Sequence, residues 1–460
     1  KNNHGSLLDH CDGGNNDIAA AYLARWDGPL LESEDPYNPY QSIPLVVTPP
    51  PTKLMLSSRV FNLNGTDRTE IKNAIMTHGA LSTPMYWSDT RYNSGAYTYY
   101  STAPSHSSNH MIALVGWDDS KLVPGAPAAG AWICKNSWGT SWGESGYFYI
   151  SYSDTNIATE GCVAFINLAN PDAYGTLYEY DPLGNTSYSG WGNTVCYGAN
   201  VFTASADEAI VAVGTYAVAD NTSYQITVYD SGISGGNFYN PKTTISGTFT
   251  EAGYYVVDLP TAVNVASSQK FSVTVRYQTP GWNFPLPLEA PQTNYAAPTA
   301  AYGQSYMSPD GTGYIDIQSQ PGYGNTNACI KAIAAAPDKT VRVIAPHWVE
   351  EGDPITFTAM LPILVGAPTF EWYKDDVLII GATSDTYLIP AATFSDSGMY
   401  KLIVTDASKA VMESAPCEVL VLAEGSLPVS GILAVSVIAL LLSVAGVRRM
   451  MPGQKGVQAK

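Results

Sequence analysis

From residue 171 onward the chain is a succession of short β-prone runs cut by Gly, Asn, Ser and Pro, and this rhythm restricts its possible folds more than any other feature. Ala209 to Ala217, Tyr224 to Tyr229, Gly253 to Leu259 and Lys270 to Tyr277 are each of strand length. Regular short strands with turn signals between them predict a β-sandwich over residues 171–335. The pattern returns over residues 338–423, in Ile355 to Met360, Phe370 to Tyr373, Asp385 to Ile389, Gly398 to Thr405 and Cys417 to Leu422.

Residues 1–168 have a mixed α and β texture. Asp17 to Trp26 is predicted to be a helix, with Gly28 as a stop. Thr69 to His78 is a second helix, opened by Thr66 and Asp67 and closed by Gly79. Strand-like runs follow at Met111 to Gly116, Ala131 to Lys135 and Gly146 to Ser151.

Composition narrows the function classes. Charged residues make up only 13%, whereas Tyr (31), Gly (40) and Pro (31) are abundant, which fits β domains of an extracellular protein. The net charge is −18, with no basic cluster before the extreme C-terminus, so no nucleic-acid partner is expected. The six Cys, at positions 11, 134, 162, 196, 329 and 417, form neither a CxxC pair nor a Cys/His cluster at zinc spacing. No metal and no cofactor are therefore expected. One or two disulfides fit this count, and Cys196 and Cys329 stand where a bridge between the first and last strands of the sandwich would fall.

Residues 426–460 read as a tail. Leu427 to Gly431 precede a run from Ile432 to Val447 that is apolar or small throughout, and Arg448 and Arg449 follow it. The run is slightly short of the ~17–25 residues usual for a membrane span. The basic pair favours a membrane-held segment through residues 432–447, with Arg on the cytoplasmic side. The tail resembles a sortase- or exosortase-type sorting signal, with an ordinary tail anchor as the alternative.

The chemistry-bearing residues lie in the first 168. Asn109-His110 stands directly before the apolar run Met111 to Gly116, a placement that holds a histidine against the core while its ring faces outward. Lys135-Asn136-Ser137-Trp138-Gly139 follows, then Ser141-Trp142-Gly143-Glu144 and Gly146-Tyr147. Near the start comes Cys11-Asp12-Gly13-Gly14, with Glu32 and Asp35-Pro36-Tyr37 beyond the first helix.

These three segments, in this order, resemble the CxGG, histidine and asparagine segments of papain-like cysteine peptidases. The resemblance implies a multidomain chain: a papain-like α+β unit lacking its N-terminal part, two all-β sandwich domains, and a C-terminal hydrophobic segment. It implies His110 as the imidazole that forms an ion pair with a catalytic thiolate and then protonates the leaving amine. Asn136 would orient that ring, and Trp138 would cover the Asn–His hydrogen bond. Gly13 and Gly14 would edge the substrate cleft, because only glycine lets the backbone approach a peptide so closely. Each also has a plainer reading, Trp138 as core packing and the two glycines as a tight turn.

In such peptidases the nucleophile lies roughly 130–150 residues before the His and Asn. Here that distance falls upstream of Lys1, together with the oxyanion-hole glutamine and the expected disulfide partner of Cys11. The chain is accordingly read as a fragment, inactive alone by the thiol route. Residue 1 is Lys rather than Met, so the missing export signal says nothing about export.

Residues 171–335 look similar to a lectin-like domain that follows some of these peptidases. Tyr197 to Phe202, Gly303 to Tyr306 and Asp310-Gly311 carry that likeness. It implies a carbohydrate ligand, with Trp191 and Trp282 as stacking candidates, or else as core or loop anchors. Residues 338–423 resemble an immunoglobulin-like domain through Trp372 and Asp396-Ser-Gly-Met-Tyr400. Leu402 and Ala359 stand where the inter-sheet cystine would be. The expectation is a prokaryotic cysteine endopeptidase acting on protein or peptide substrates and displayed at the cell surface. The alternative is a non-enzymatic surface adhesion protein built on an inactive peptidase scaffold.

Overall fold

The computed structural model describes residues 4–8, 13–31, 33, 51–62, 67–102, 107–158, 161–335, 341–346, 348–361, 367–405 and 411–423. Cys11, Glu32, Asp35 to Tyr37 and the whole tail over 426–460 lie outside them. The chain divides into two compact units, Lys1–Ala336 and Pro337–Lys460.

In the first unit, helix α1 (Asn16–Ala24) starts where the Asn15 side chain accepts the Ile18 N–H at 2.9 Å. That bond satisfies one of the free amides of the first turn. The helix buries Ala20, Ala21 and Ala24, side chains small enough to let it lie close to its neighbours. Helix α2 (Thr69–His78) is opened by Asp67, whose carboxylate accepts the Thr69 N–H. It ends at Gly79, whose φ of 85° suits glycine. Eight strands accompany these helices: β1 (Leu54–Phe61), β2 (Leu81–Met85), β3 (Tyr92–Asn93), β4 (Thr98–Tyr99), β5 (His110–Asp118), β6 (Ala131–Lys135), β7 (Tyr147–Ser151) and β8 (Cys162–Ala169). They run in the order β3-β4-β7-β6-β5-β2-β8-β1. Alternation along β5 sends Ile112 and Leu114 into a core shared with Trp132 and Phe148, and leaves Met111 and Ala113 on the other face.

The sheet does not stop at β1. It continues through strands Gly253–Val265, Glu208–Ala217, Ile330–Ala335 and Tyr174–Tyr178 to make a 12-stranded sheet. The sequence reads residues 1–168 and 171–335 as separate domains, but they share this sheet. At the junction Ser57 pairs with Tyr255, and the Val60 N–H donates to the Ala252 carbonyl at 2.9 Å. Arg59 donates to the Tyr254 carbonyl at 3.1 Å and lies 3.5 Å over the Tyr255 ring. A six-stranded sheet, including Val195–Thr203 and Lys270–Gln278, packs on the far half of the large one and closes a sandwich. Its core holds Phe202, Ile210, Val213 and Phe271.

Gly253 sits at the seam with φ of 139°, and a Cβ there would lie 2.2 Å from the Ser58 carbonyl oxygen. Backbone cannot yield as a flexible side chain can. Gly253→Ala is therefore expected to cost about 2–4 kcal/mol through overpacking and strain. Urea denaturation checks this, and a loss under about 0.5 kcal/mol would contradict it.

The expected bridge between Cys196 and Cys329 is not formed; both are free, buried thiols. Cys196 lies in the sandwich core, whereas Cys329 packs with Ala24 and Met55 beneath α1. The two thus belong to different clusters, and each stands as a small apolar side chain. Cys162 begins β8, a strand beyond the runs picked out in residues 1–168 from the sequence. It too is free, as is Cys134.

The second unit holds a three-stranded sheet (Arg342–Ile344, Ile355–Met360, Thr386–Ile389) and a larger sheet that includes Thr369–Lys374, Gly398–Thr405 and Cys417–Leu422. Phe357, Trp372, Tyr400 and Leu402 fill one core. Phe357 rather than Ala359 supplies the bulk on its strand, since Ala359 is only partly buried. Among the described residues no helix is long and apolar enough to cross a membrane.

Candidate active site

The site grows from the pairing of β2 with β5. Met85 pairs with His110, which sets the ring at the start of β5. The residue before it is clamped. Asn109 accepts the Trp87 N–H at 2.6 Å through Oδ1 and donates to the Trp87 carbonyl at 3.0 Å through Nδ2. Two bonds to the backbone of one residue hold Asn109, and with it the start of β5, in place.

Asn136 follows β6, and its N–H donates to the Gly146 carbonyl at 2.9 Å. The glycines of the signature shape the intervening loop. Gly139 and Gly143 have φ of 83° and 60°, and a Cβ on Gly143 would lie 2.4 Å from the Tyr147 carbonyl oxygen. This tight return places Asn136 beside the histidine.

His110 Nε2 and Asn136 Oδ1 are 2.9 Å apart. The same Oδ1 accepts the Ser137 N–H at 2.8 Å. An oxygen is needed for both contacts, so the amide presents its carbonyl to the ring and Nε2 donates. Nδ1 is then the ring's other working position, and it takes no hydrogen bond among the described residues. Asn136 is buried, with Nδ2 lacking a partner among those residues.

Trp138 lies over this pair, its ring centroid 4.9 Å from that of His110 at 31°. It is 41% exposed, so it is not a core plug. Trp87 meets it edge-on at 4.8 Å, and Trp142 does so at 5.0 Å. Trp87 and Trp142 hold that ring at its angle, a role the sequence reading did not give them. Trp87 has no spacing signal of its own; only the Asn109 clamp reveals it.

Gly13 and Gly14 are exposed, and no hydrogen bond joins them to this trio among the described residues. A Cβ on either would meet nothing within 4 Å, while φ of 80° at Gly13 favours glycine. Packing does not demand their smallness, and the space beside them is open. An open depression of about 420 Å³ adjoins Asn136, lined by Leu81, Ser82, Met111, Ala113 and Lys135 among others.

No thiol among the described residues is prepared for nucleophilic work. Burial pushes Cys162 up to about 11 and Cys196 up to about 12, and holds Cys134 and Cys329 well above the ordinary value. A nucleophilic cysteine needs the opposite shift. Among the described residues no group of His, Cys, Asp or Glu could hold a metal ion.

Known proteins resemble both halves of the first unit. Residues 2–165 match the family described as "Papain family cysteine protease", and residues 177–334 match "Lectin like domain". A viral cathepsin of Spodoptera litura multicapsid nucleopolyhedrovirus is 31% identical over 140 residues, 30% of this chain and 38% of that protein. Pro-cathepsin H of Bos taurus is 29% identical over 173 residues, 36% of this chain and 46% of its own length. The chain thus spans less than half of these curated relatives. Among solved structures, the cysteine protease and lectin-like domains of Cwp84, a surface layer associated protein of Clostridium difficile, align with a TM-score of 0.63 and 25% identity. That alignment covers 73% of this chain and 76% of the other.

Proposed function

Since the chain carries a papain-family cysteine peptidase domain with a lectin-like domain behind it, we propose that it is part of a cell-surface endopeptidase using a Cys-His-Asn site. The observation that carries this reading is the His110–Asn136 pair under Trp138, with Nε2 committed to the amide and Nδ1 left for a thiol. The described thiols are all buried or partly buried, and burial raises each of them, which supports a nucleophile outside the described residues.

In that reaction the thiolate attacks the scissile carbonyl carbon, and the His110 imidazolium gives its Nδ1 proton to the leaving amine. The C–N bond breaks and an acyl-thioester remains. Neutral His110 then takes a proton from water as the hydroxide adds to the acyl carbon, and the thiolate departs. Asn136 keeps the ring aligned through both steps. Gly13 and Gly14 line one edge of the cleft, where peptide backbone meets little steric resistance.

The remaining parts suit display. Cwp84 is a surface layer associated protein, which supports a surface location here. The apolar run 432–447 would hold the chain to a membrane or mark it for sorting. Residues 338–423 form an immunoglobulin-like spacer in this reading. Buried Trp372 and the Tyr400 hydroxyl, which donates to the Asp396 carbonyl at 2.7 Å, support it. For a carbohydrate, Tyr188 and Phe284 are exposed and flank Trp282, with Tyr188 and Trp282 centroids 5.1 Å apart. Trp191 is 39% exposed.

The test is labelling of the full-length protein with a peptidyl epoxide thiol probe. One modified cysteine upstream of Lys1, with labelling abolished in His110→Ala, is expected. Intact protein that takes no label would overturn the reading.

A further inference from the structure

On both sides of the glycine pair the chain is fastened to the lectin-like domain, while the first residue of α1 also reaches the peptidase sheet, Asn16 Nδ2 donating to the Ser82 carbonyl at 3.5 Å. Upstream, residues 5–7 lie against the loop at residues 292–297 as an added strand. The Leu7 N–H donates to the Tyr295 carbonyl at 3.0 Å, and the Ala297 N–H donates to the Gly5 carbonyl at 2.7 Å. Ser6 and Ala296 form an antiparallel bridge between them. Downstream, the Tyr295 hydroxyl donates to Asn15 Oδ1 at 3.3 Å, and Asn15 caps α1. Arg25, just beyond α1, donates to the Pro182 carbonyl at 3.0 Å.

The loop itself is closed and anchored. Gln292 and Ala296 exchange backbone hydrogen bonds of 2.9 and 3.0 Å. The Gln292 side chain donates to the Thr186 carbonyl at 3.1 Å, and Thr186 Oγ1 donates to the Ala290 carbonyl at 2.8 Å. Gly5 permits the close approach: its φ is 100°, and a Cβ there would lie 2.3 Å from the Ala297 oxygen. One tyrosine therefore touches both sides of the Gly13-Gly14 segment, by its carbonyl before it and by its hydroxyl after it.

We propose that Tyr295 and its loop position the substrate-binding edge Gly13-Gly14, making the lectin-like domain a working part of the peptidase cleft. The inference rests on the peptidase reading above. Tyr295 is a positioning residue, because it acts through Asn15 and residues 5–7 and not on substrate. A geometric error of about 1 Å at such an edge is enough to cost up to about 10²-fold in rate. The loss should fall on ligands that lie along the edge and spare a small reagent that needs only the thiolate.

The experiment compares the full-length wild type with Tyr295→Phe and Gly5→Val. Three readouts are used: kcat and KM on a peptide substrate, the alkylation rate with iodoacetamide, and hydrogen exchange of amides 13–18. Gly5→Val should raise KM about 10-fold with a smaller change in kcat, speed exchange at 13–18 about 10-fold, and leave alkylation within about 2-fold. Tyr295→Phe should shift the same readouts in the same directions by less. Unchanged KM and exchange in both folded variants would overturn the inference, as would alkylation falling in step with peptide turnover. A wild type inert to both iodoacetamide and substrate overturns the peptidase reading instead.

Discussion

Replacing His110 with Ala in the full-length protein is expected to lower kcat/KM for a peptide substrate by about 10⁴-fold or more. Two functions are lost at once. The thiol loses the imidazolium that keeps it ionised, and the leaving amine loses its proton donor. The pH dependence separates them. With an imidazolium partner the thiol should stay reactive toward iodoacetamide far below its ordinary pKa of ~8.5. In His110→Ala the alkylation rate should rise only as pH approaches that value. Asn136→Ala should cost less, about 10- to 10²-fold, because the ring persists and only its alignment through the 2.9 Å bond is lost. Equal activity of His110→Ala and wild type would remove the site from these residues.

Lys331→Met should destabilise the first unit by about 3–5 kcal/mol at pH 8. Lys331 is fully buried and pairs with Glu179 and with Asp181, whose Oδ2 lies 3.0 Å away and which is itself fully buried. Burial alone would lower the lysine's pKa, yet the two carboxylates hold it well above the ordinary value. Methionine fills a similar volume but leaves Asp181 as an uncompensated buried charge.

The sign of the pH effect follows from Asp181. Burial raises its pKa even against the pull of Lys331, and without the lysine it would rise further. A carboxyl with a folded pKa above its unfolded value contributes stability at low pH and loses it as pH rises through the folded value. The Lys331→Met deficit should therefore shrink on going from pH 8 to pH 5, as Asp181 takes up a proton. Glu289, pushed up from 4.5 to about 8 by burial and then by the Asp181 charge, gives wild type a slope of the same sign. Denaturant titrations at the two pH values check this; a deficit that grows on acidification would contradict it. Asp181→Asn in the Lys331→Met background should restore part of the loss at pH 8.

Local chemistry was legible in the residues. Helix α2 runs from Thr69 to His78 and strand β6 from Ala131 to Lys135, the bounds their patterns predict. The His110 and Asn136 placements follow from short-range devices: a strand start, a strand end, and a loop folded by Gly139, Gly143 and Gly146. Trp138 lies against the His110 ring, with part of its own ring still open to solvent. Trp87 was not legible, because what gives it a role is a clamp from Asn109 across the β2–β5 pairing.

Long-range partnership is where the residues were silent. The sequence marks Ala209 to Ala217 and Gly253 to Leu259 as strands, but it does not say that the second lies beside β1. Nor does it say that Cys196 faces the sandwich core while Cys329 faces α1, which is why the expected bridge fails. By itself the sequence determined the strand rhythm, the turns and the segments that bring His110 beside Asn136, because period, glycine conformation and side-chain chemistry act over a few residues. The tertiary structure alone decided that the lectin-like domain shares a sheet with the peptidase part and grips the chain on either side of Gly13-Gly14. Those contacts depend on close approaches at Gly5 and Gly253, between segments far apart in the chain, and a one-dimensional pattern carries no record of distance in space.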